Sequence, residues 1–500
     1  MRHVIICFLL LIFISSCGVS SYSPGKKYPK HELQADYNFM REVLESKHPS
    51  LYWYTSADSI NFYFNHYEGL IRDSMTEREF AWDVLAPMVD KIHCGHTSVS
   101  MSKAYGRWAD GRRFQSFPYY LKVWGDSMAV VRTLIKDSLL AKGTIVKSVN
   151  GISQDSLVKE IFNRLPEDGY ANNINFIRLS SNFPYYHRNV FGISDKYIVE
   201  YLDSAGNLLQ KEIPAYKPPR DTAKTDSLRK DSLRLPRPKT KKVKRSLDFY
   251  RSFIIDSSKN FATLEVNSFT RGRLRSFFRR SFRKMKNEEI PTLVVDLRSN
   301  SGGRIGLSTL LTKYLSRSSF RVADTVYTRS RSLKPYTNHF ENKWLNNLQI
   351  FFTTKKRGDE KFHLRHFERK CYNANKKYTY KGNVFLLING PTFSAATLVT
   401  NTLKGQPDIT IVGEETGGGW HGNNGIMIPE LKLPVTRTRI SFPLFRVVQF
   451  CHVPKTGSGV RPDIYLGTNY DALMKGIDYK MEWVKEMILK KEQHREGKER

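Results

Sequence analysis

Ser394 stands in NGPTFSAATLVTNTL (residues 389–403), where an apolar run gives way to a helical pattern. The run before it, NVFLLI (residues 383–388), reads as a buried strand. After it, Ala395, Ala396, Leu398, Val399 and Leu403 recur at helical spacing. A serine at that junction sits at a helix N-terminus, where unpaired N–H groups and the positive end of the macrodipole favour an anion forming beside its oxygen. The N–H of Ala395 is then a candidate oxyanion donor. Serine is also a favoured helix cap, so a chemical role has to rest on what the rest of the chain brings to it.

Two more strand-then-loop units could do so. LVVDLRSNSGG (residues 293–303) is a strand followed by a turn with Gly302 and Gly303, and glycines there let backbone N–H groups converge on one concavity. ITIVG (residues 409–413) is a third strand, followed by Glu414, Glu415, Thr416 and three glycines. Three such units place their loops along one edge of a largely parallel sheet, the edge at which open α/β sheets carry their sites.

The motifs DLRSNSGG, TFSAAT and GEETGGG together resemble the core of the tail-specific, or C-terminal processing, serine peptidases. That superfamily includes the tricorn core protease and the interphotoreceptor retinoid-binding protein repeats. The resemblance runs from about His31 to Gly467. It implies an α/β protein with a crotonase-like (ClpP-like) catalytic core, a helical N-terminal region and a degenerate PDZ-like domain. It also implies a serine-type peptidase acting on a peptide or protein substrate without cofactor or metal. The processing branch pairs its serine with a lysine about 25 residues later, and Gly419 stands there in this chain. The tricorn-like branch takes its base from an N-terminal histidine, which Gly95-His96-Thr97 matches.

By that resemblance the catalytic pair is Ser394 with His96, and the oxyanion is held by the N–H groups of Ala395 and Gly303, or Gly302. His421, in Trp420-His421-Gly422, is the alternative base, because it lies near the position of the missing lysine. In the tricorn-like branch a glutamate precedes the proline of the closing motif and orients the histidine. Gly459-Val460-Arg461-Pro462 matches that motif, but the glutamate's position holds Thr456. Asp90, Glu414 and Glu415 remain as candidates for the acid, with no choice among them.

His96 ends a helical pattern of Phe80, Val84, Leu85, Met88, Val89 and Ile92, in a helical region spanning residues 31–110. His93, Cys94 and His96 are zinc-type donors, but no second spaced pair completes a ligand set, so no metal is expected. Residues 111–216 are strand-rich, with a hairpin-prone Asn150-Gly151. They resemble the PDZ-like domain of the processing peptidases without its carboxylate-binding glycine loop. Residues 217–247 mix proline with Lys and Arg and read as a solvated linker. Residues 248–470 form the catalytic core, and 471–500 a charged helix and tail.

Residues 1–16 combine Arg2 and His3 with a short apolar run, as a secretory signal peptide does. Ile14-Ser15-Ser16-Cys17 resembles a bacterial lipobox, so residues 17–30 become a tether and Cys17 a lipidated anchor. This implies an exported cell-envelope lipoprotein, on the periplasmic side of a membrane or at the cell surface. Beyond Cys7 and Cys17 only three cysteines remain, too few to pair completely. The net charge of +32 calls for an anionic partner. Residues 271–286, where Arg and Lys surround Phe277, Phe278 and Phe282, read as an amphipathic helix near anionic lipid or cell-wall polymer rather than nucleic acid. The competing functions are a non-catalytic lipid- or peptide-binding lipoprotein on the same fold and a structural envelope lipoprotein.

Overall fold

Alternation along the strands decides the centre of the structure. Leu293 and Val295 face one side of a sheet and Val294 the other, and Val384, Leu386 and Ile388 alternate with Phe385 and Leu387 in the same way. Strands with apolar residues on both faces must be covered on both, and these are. The computed structural model describes residues 22–136, 139–219, 247–451 and 453–499. The expected signal segment, Cys17 and residues 220–246 of the linker lie outside them.

The central six-stranded sheet runs in the spatial order β1 (Arg251–Ile255), β2 (Phe261–Val266), β3 (Thr292–Asp296), β4 (Asn383–Ile388), β5 (Ile409–Gly413) and β6 (Ile464–Tyr465). Only β1 is antiparallel to its neighbour; the other pairings are parallel, with Val295 opposite Leu386 and Leu386 opposite Ile411. One face packs on α1 (Leu274–Asn287), α2 (Ile305–Leu315) and α3 (Ala395–Leu403). The other face is covered by Val484 and Ile488 of α4 (Tyr479–Glu499).

The basic aromatic stretch is α1. Its Phe277, Phe278, Phe282 and Met285 are buried against the sheet, while Arg275, Arg279, Arg280 and Arg283 are exposed. Its apolar face is therefore consumed by the core, and only its charged face is open to a partner.

Residues 119–214 build a second, antiparallel sheet from Tyr119–Trp124, Ser127–Thr133, Ile145–Val149, Lys196–Leu202 and Leu208–Pro214. It has its own core around Phe117, Tyr119, Leu121 and Val199. Asn150 and Gly151 both take positive φ and close a hairpin onto Ile152–Ser153, as a two-residue turn of that composition should.

The N-terminal region is helical, with Lys30–Lys47, Ala57–Gly69 and a continuous helix from Glu77 to Asp90 that widens to a π-helix at Phe80–Leu85. Its apolar residues share one core with Ala323, Val326, Leu431, Ile440 and Phe442 from the second half of the chain. Strand Ser98–Ser100 extends the sheet of Glu430–Lys432 and Arg439–Ser441, with Val99 opposite Ile440. The buried Asp36 carboxylate accepts the N–H groups of Val435 and Thr436, each at 2.8 Å. This sewing of the first hundred residues into the core is what carries His96 to the sheet edge.

Candidate active site

Ser394 caps α3 with φ 53° and ψ −120°, a region that side chains other than hydrogen rarely enter. The turn holding it there is over-determined. Thr392 donates its hydroxyl to the Leu297 carbonyl, the Phe393 N–H donates to the Asn300 carbonyl, and Asn423 Nδ2 donates to the Ser394 carbonyl at 2.7 Å. Asn300 is fully buried and donates to the Val266 carbonyl at 2.8 Å, tying the loop after β3 to the end of β2. The loops after β3, β4 and β5 thus meet at one sheet edge.

Gly302 lies directly against the serine, since a Cβ added to it would come within 2.7 Å of Ser394 Cβ. Its φ of 99° is the left-handed region that glycine alone takes easily. Its N–H is already given to Asn300 Oδ1 at 2.8 Å. The N–H groups of Gly303 and Ala395 make no hydrogen bond within the described protein, and that of Ala395 lies 2.9 Å from the same point beside Gly302. Of the two glycines singled out from sequence, Gly303 is the one whose amide is free.

His96 sits in a tight turn after the Glu77 to Asp90 helix, closed by the bond from the Thr97 N–H to the Cys94 carbonyl at 2.8 Å. Its ring lies on that of Phe393, with centroids 4.6 Å apart. Gly95 makes the approach possible, because a Cβ there would stand 2.8 Å from the Phe393 ring. The closest convergence is at Gly425: the position of a Cβ on it is 2.8 Å from Ser394 Oγ and 2.9 Å from His96 Nε2. The two atoms can therefore be no further apart than the sum of those distances. Both ring nitrogens of His96 are buried without a hydrogen bond.

The acid nearest this imidazole is Asp168, with Oδ1 3.8 Å from His96 Nδ1 and both side chains almost wholly buried. Asp168 also accepts the Gly95 N–H at 2.7 Å and the Gly419 N–H at 3.4 Å, so it is held between the histidine turn and the glycine-rich loop. The sequence reading did not single it out. Its only local signal is Glu167-Asp168-Gly169, which looks like a turn.

The three acids that were singled out are engaged elsewhere. Asp90 pairs with Lys91 at 3.0 Å, and burial pushes its carboxyl up to about 6. Glu414 takes Lys480 Nζ at 2.9 Å, and Glu415 accepts the Gly459 N–H. The ring of His421 is turned edge-on to Trp53 at 5.9 Å, and burial with Lys455 and Arg446 nearby lowers its pKa.

The zinc-type donors diverge. The His93 ring meets Tyr170 at 4.7 Å, whereas the Cys94 thiol faces Asn424 and is pushed up to about 12 by burial. Among the described residues no group of three or more His, Cys, Asp or Glu is arranged to hold a metal ion. Cys94, Cys371 and Cys451 are all free thiols.

The sequence model of Peptidase family S41 matches residues 260–466. No curated protein sequence matches the chain. The structure of mature CPAF complexed with lactacystin aligns over 92% of this chain and 98% of its own, at 14% identity and a TM-score of 0.60. Mature CPAF alone aligns over 89% and 94%, at 13% identity and a TM-score of 0.58. The photosystem II D1 C-terminal processing protease covers 89% of this chain and 96% of its own, at 12% identity and a TM-score of 0.40. The family's sequence pattern runs from β2 to β6 of this sheet, so residues 260–466, which carry Ser394 and the loops at the sheet edge, match a serine-type peptidase domain of the Peptidase family S41 kind.

Proposed function

We propose that the chain hydrolyses peptide bonds through an acyl-enzyme on Ser394, with His96 as general base and acid and Asp168 behind it. The observation that carries this reading is the convergence of Ser394 Oγ and His96 Nε2 on one point beside Gly425, with Asp168 on the far side of the ring. Ser394 Oγ bonds to the substrate carbonyl carbon as its proton passes to His96 Nε2. The oxyanion forms against the N–H groups of Ala395 and Gly303, at the head of α3. The C–N bond then breaks as the proton moves from His96 to the leaving amine. Water adds to the acyl carbon in the same way, releasing the acid and restoring the serine. Asp168 keeps the imidazole oriented with Nδ1 toward it and offsets the positive charge that forms on the ring.

The same reading makes the protein an envelope lipoprotein held through Cys17, supported by the charged-then-apolar residues before that cysteine. Cys17→Ala is expected to release it from the membrane fraction at high salt.

A fluorophosphonate probe tests the chemistry. Labelling of the wild type, its loss in Ser394→Ala and strong slowing in His96→Ala are the expected results. If the folded wild type resists labelling, a non-catalytic binding protein on this fold takes the proposal's place.

A further inference from the structure

Helix Lys343–Thr353 is built the wrong way round for a helix packed on a soluble core. Trp344, Leu345, Leu348, Phe351 and Phe352 are each between 52% and 78% exposed. At about 100° per residue they fall within one arc of roughly 120°. The protein side of the helix holds Ile350, its one buried residue, and two asparagines: Asn347 accepts the Leu333 N–H at 2.8 Å and Asn346 donates to the Glu341 carbonyl at 3.2 Å. The apolar stripe therefore faces away from the molecule. Five large apolar side chains together on one helix face mark an interaction surface.

The surroundings narrow what that surface can meet. From residue 331 to residue 361 the chain carries seven Lys and Arg against three Asp and Glu. The three acids are each already paired with a lysine: Glu341 with Lys103, Asp359 with Lys361 and Glu360 with Lys356. Lys334, Lys343 and Lys355 have no carboxylate partner among the described residues, and Arg331 lies over the Phe351 ring at 4.3 Å. Cations flanking a Trp, Leu and Phe face suit a surface that is apolar at depth and anionic at its rim. A second copy of this chain would bring the same excess of positive charge against it, which costs Coulomb energy that an anionic bilayer reverses.

We propose that Lys343–Thr353 is an interfacial membrane helix, inserting Trp344, Leu345, Leu348, Phe351 and Phe352 among the acyl chains of an anionic leaflet while Lys343 and Lys355 meet its headgroups. This contact is independent of Cys17 and of the peptidase reading. It would hold the catalytic core, not only the N-terminus, against the lipid surface.

The test uses the chain from residue 18 onward, which keeps every described residue but lacks the lipid-bearing cysteine. Sedimentation with vesicles of phosphatidylcholine containing about one-third phosphatidylglycerol is compared with pure phosphatidylcholine, at low and high salt. Expected are binding to the anionic vesicles that weakens with salt, and a loss of at least tenfold in partitioning for Leu345→Ser/Phe352→Ser. Fluorophosphonate labelling of that variant in solution should be unchanged. Exposed side chains are altered, so folding should survive; Phe62→Ser, an exposed aromatic on another helix, serves as the control and should bind as wild type does. Equal binding by wild type and the double variant overturns the proposal. So does failure to bind vesicles together with a dimer in light scattering that Leu345→Ser/Phe352→Ser dissociates, which would assign the face to a second copy.

Discussion

The backbone of Ser394 is held in a conformation that costs on the order of 1–3 kcal/mol for a residue with a side chain, and hydrogen bonds from three loops keep it there. Such strain aims the hydroxyl out of the helix axis and toward the imidazole rather than back onto the helix as a cap. Indeed no side-chain capping bond forms at Ser394. With Asp168 behind the ring, Asp168→Asn should lower kcat by about 10³ to 10⁴, since an amide favours the wrong tautomer. Asp90→Asn and Glu415→Gln should stay within about tenfold of wild type. Peptide hydrolysis by the three purified variants checks this, and a mild Asp168→Asn would remove that residue from the mechanism. Gly425 makes a second case at this scale. A methyl added there would crowd both reacting atoms, at 2.8 Å from Ser394 Oγ and 2.9 Å from His96 Nε2, so Gly425→Ala should lose at least about a hundredfold in activity. Its melting temperature should change little, because φ at Gly425 is not in the glycine-only region.

Among the elements, the segment that supplies Asp168 also carries a buried acid of a different kind. Burial first, and then the neighbouring Asp90, push Glu167 up to about 8 from an ordinary 4.5, while Asn175 Nδ2 donates to it at 3.1 Å. The folded state thus binds a proton that the unfolded chain has given up. This group's contribution is complete below about pH 4.5 and is lost as pH rises toward 8. Glu167→Gln keeps an acceptor for Asn175 without the charge. It should therefore gain at least about 1 kcal/mol on the wild type between pH 5 and pH 8, read from urea unfolding at both values. A difference between the two chains that does not change with pH would refute this. The helices divide on how well their pattern could be read. The α1 stripe of Phe277, Phe278 and Phe282 announced itself by period, and its face meets the core. Lys343–Thr353 carries an apolar stripe as well, but its period does not say which way the stripe faces, and in the structure it points outward.

Across the whole molecule, the site depends on joints between segments hundreds of residues apart. Asp36, in the first long helix, is one. Its carboxylate takes two backbone N–H groups and the Thr436 hydroxyl, although burial still leaves its pKa raised. Asp36→Ala would leave those donors buried and unpaired at a cost of roughly 3 kcal/mol. It should also slow fluorophosphonate labelling by loosening the turn that presents His96. Full labelling rate in a destabilised Asp36→Ala would separate the joint from the site. Arg298 is another, binding Asp296 at the end of β3 and Asp478 just before α4, which fixes the cover of the second sheet face.

How much of this was legible beforehand follows from the range of each interaction. The strand before Ser394, the helix after it, the glycine turn at Gly302 and Gly303 and the helical stripe leading to His96 are written in local periodicity and turn chemistry, which neighbouring residues alone dictate. The three parallel strands with loops at one edge follow from those pieces. The choice of Asp168 over Asp90, Glu414 and Glu415 was not legible, because which carboxylate reaches an imidazole is decided by side-chain partners from other segments. Lys91, Lys480 and Gly459 take the other three. Likewise, the free amide at Gly303 rather than Gly302 is settled by Asn300, and the turning of His421 by Trp53. The sequence by itself determined the elements and the kinds of group they carry; the tertiary structure alone decided which of those groups meet, because packing and long-range hydrogen bonds leave no period along the chain.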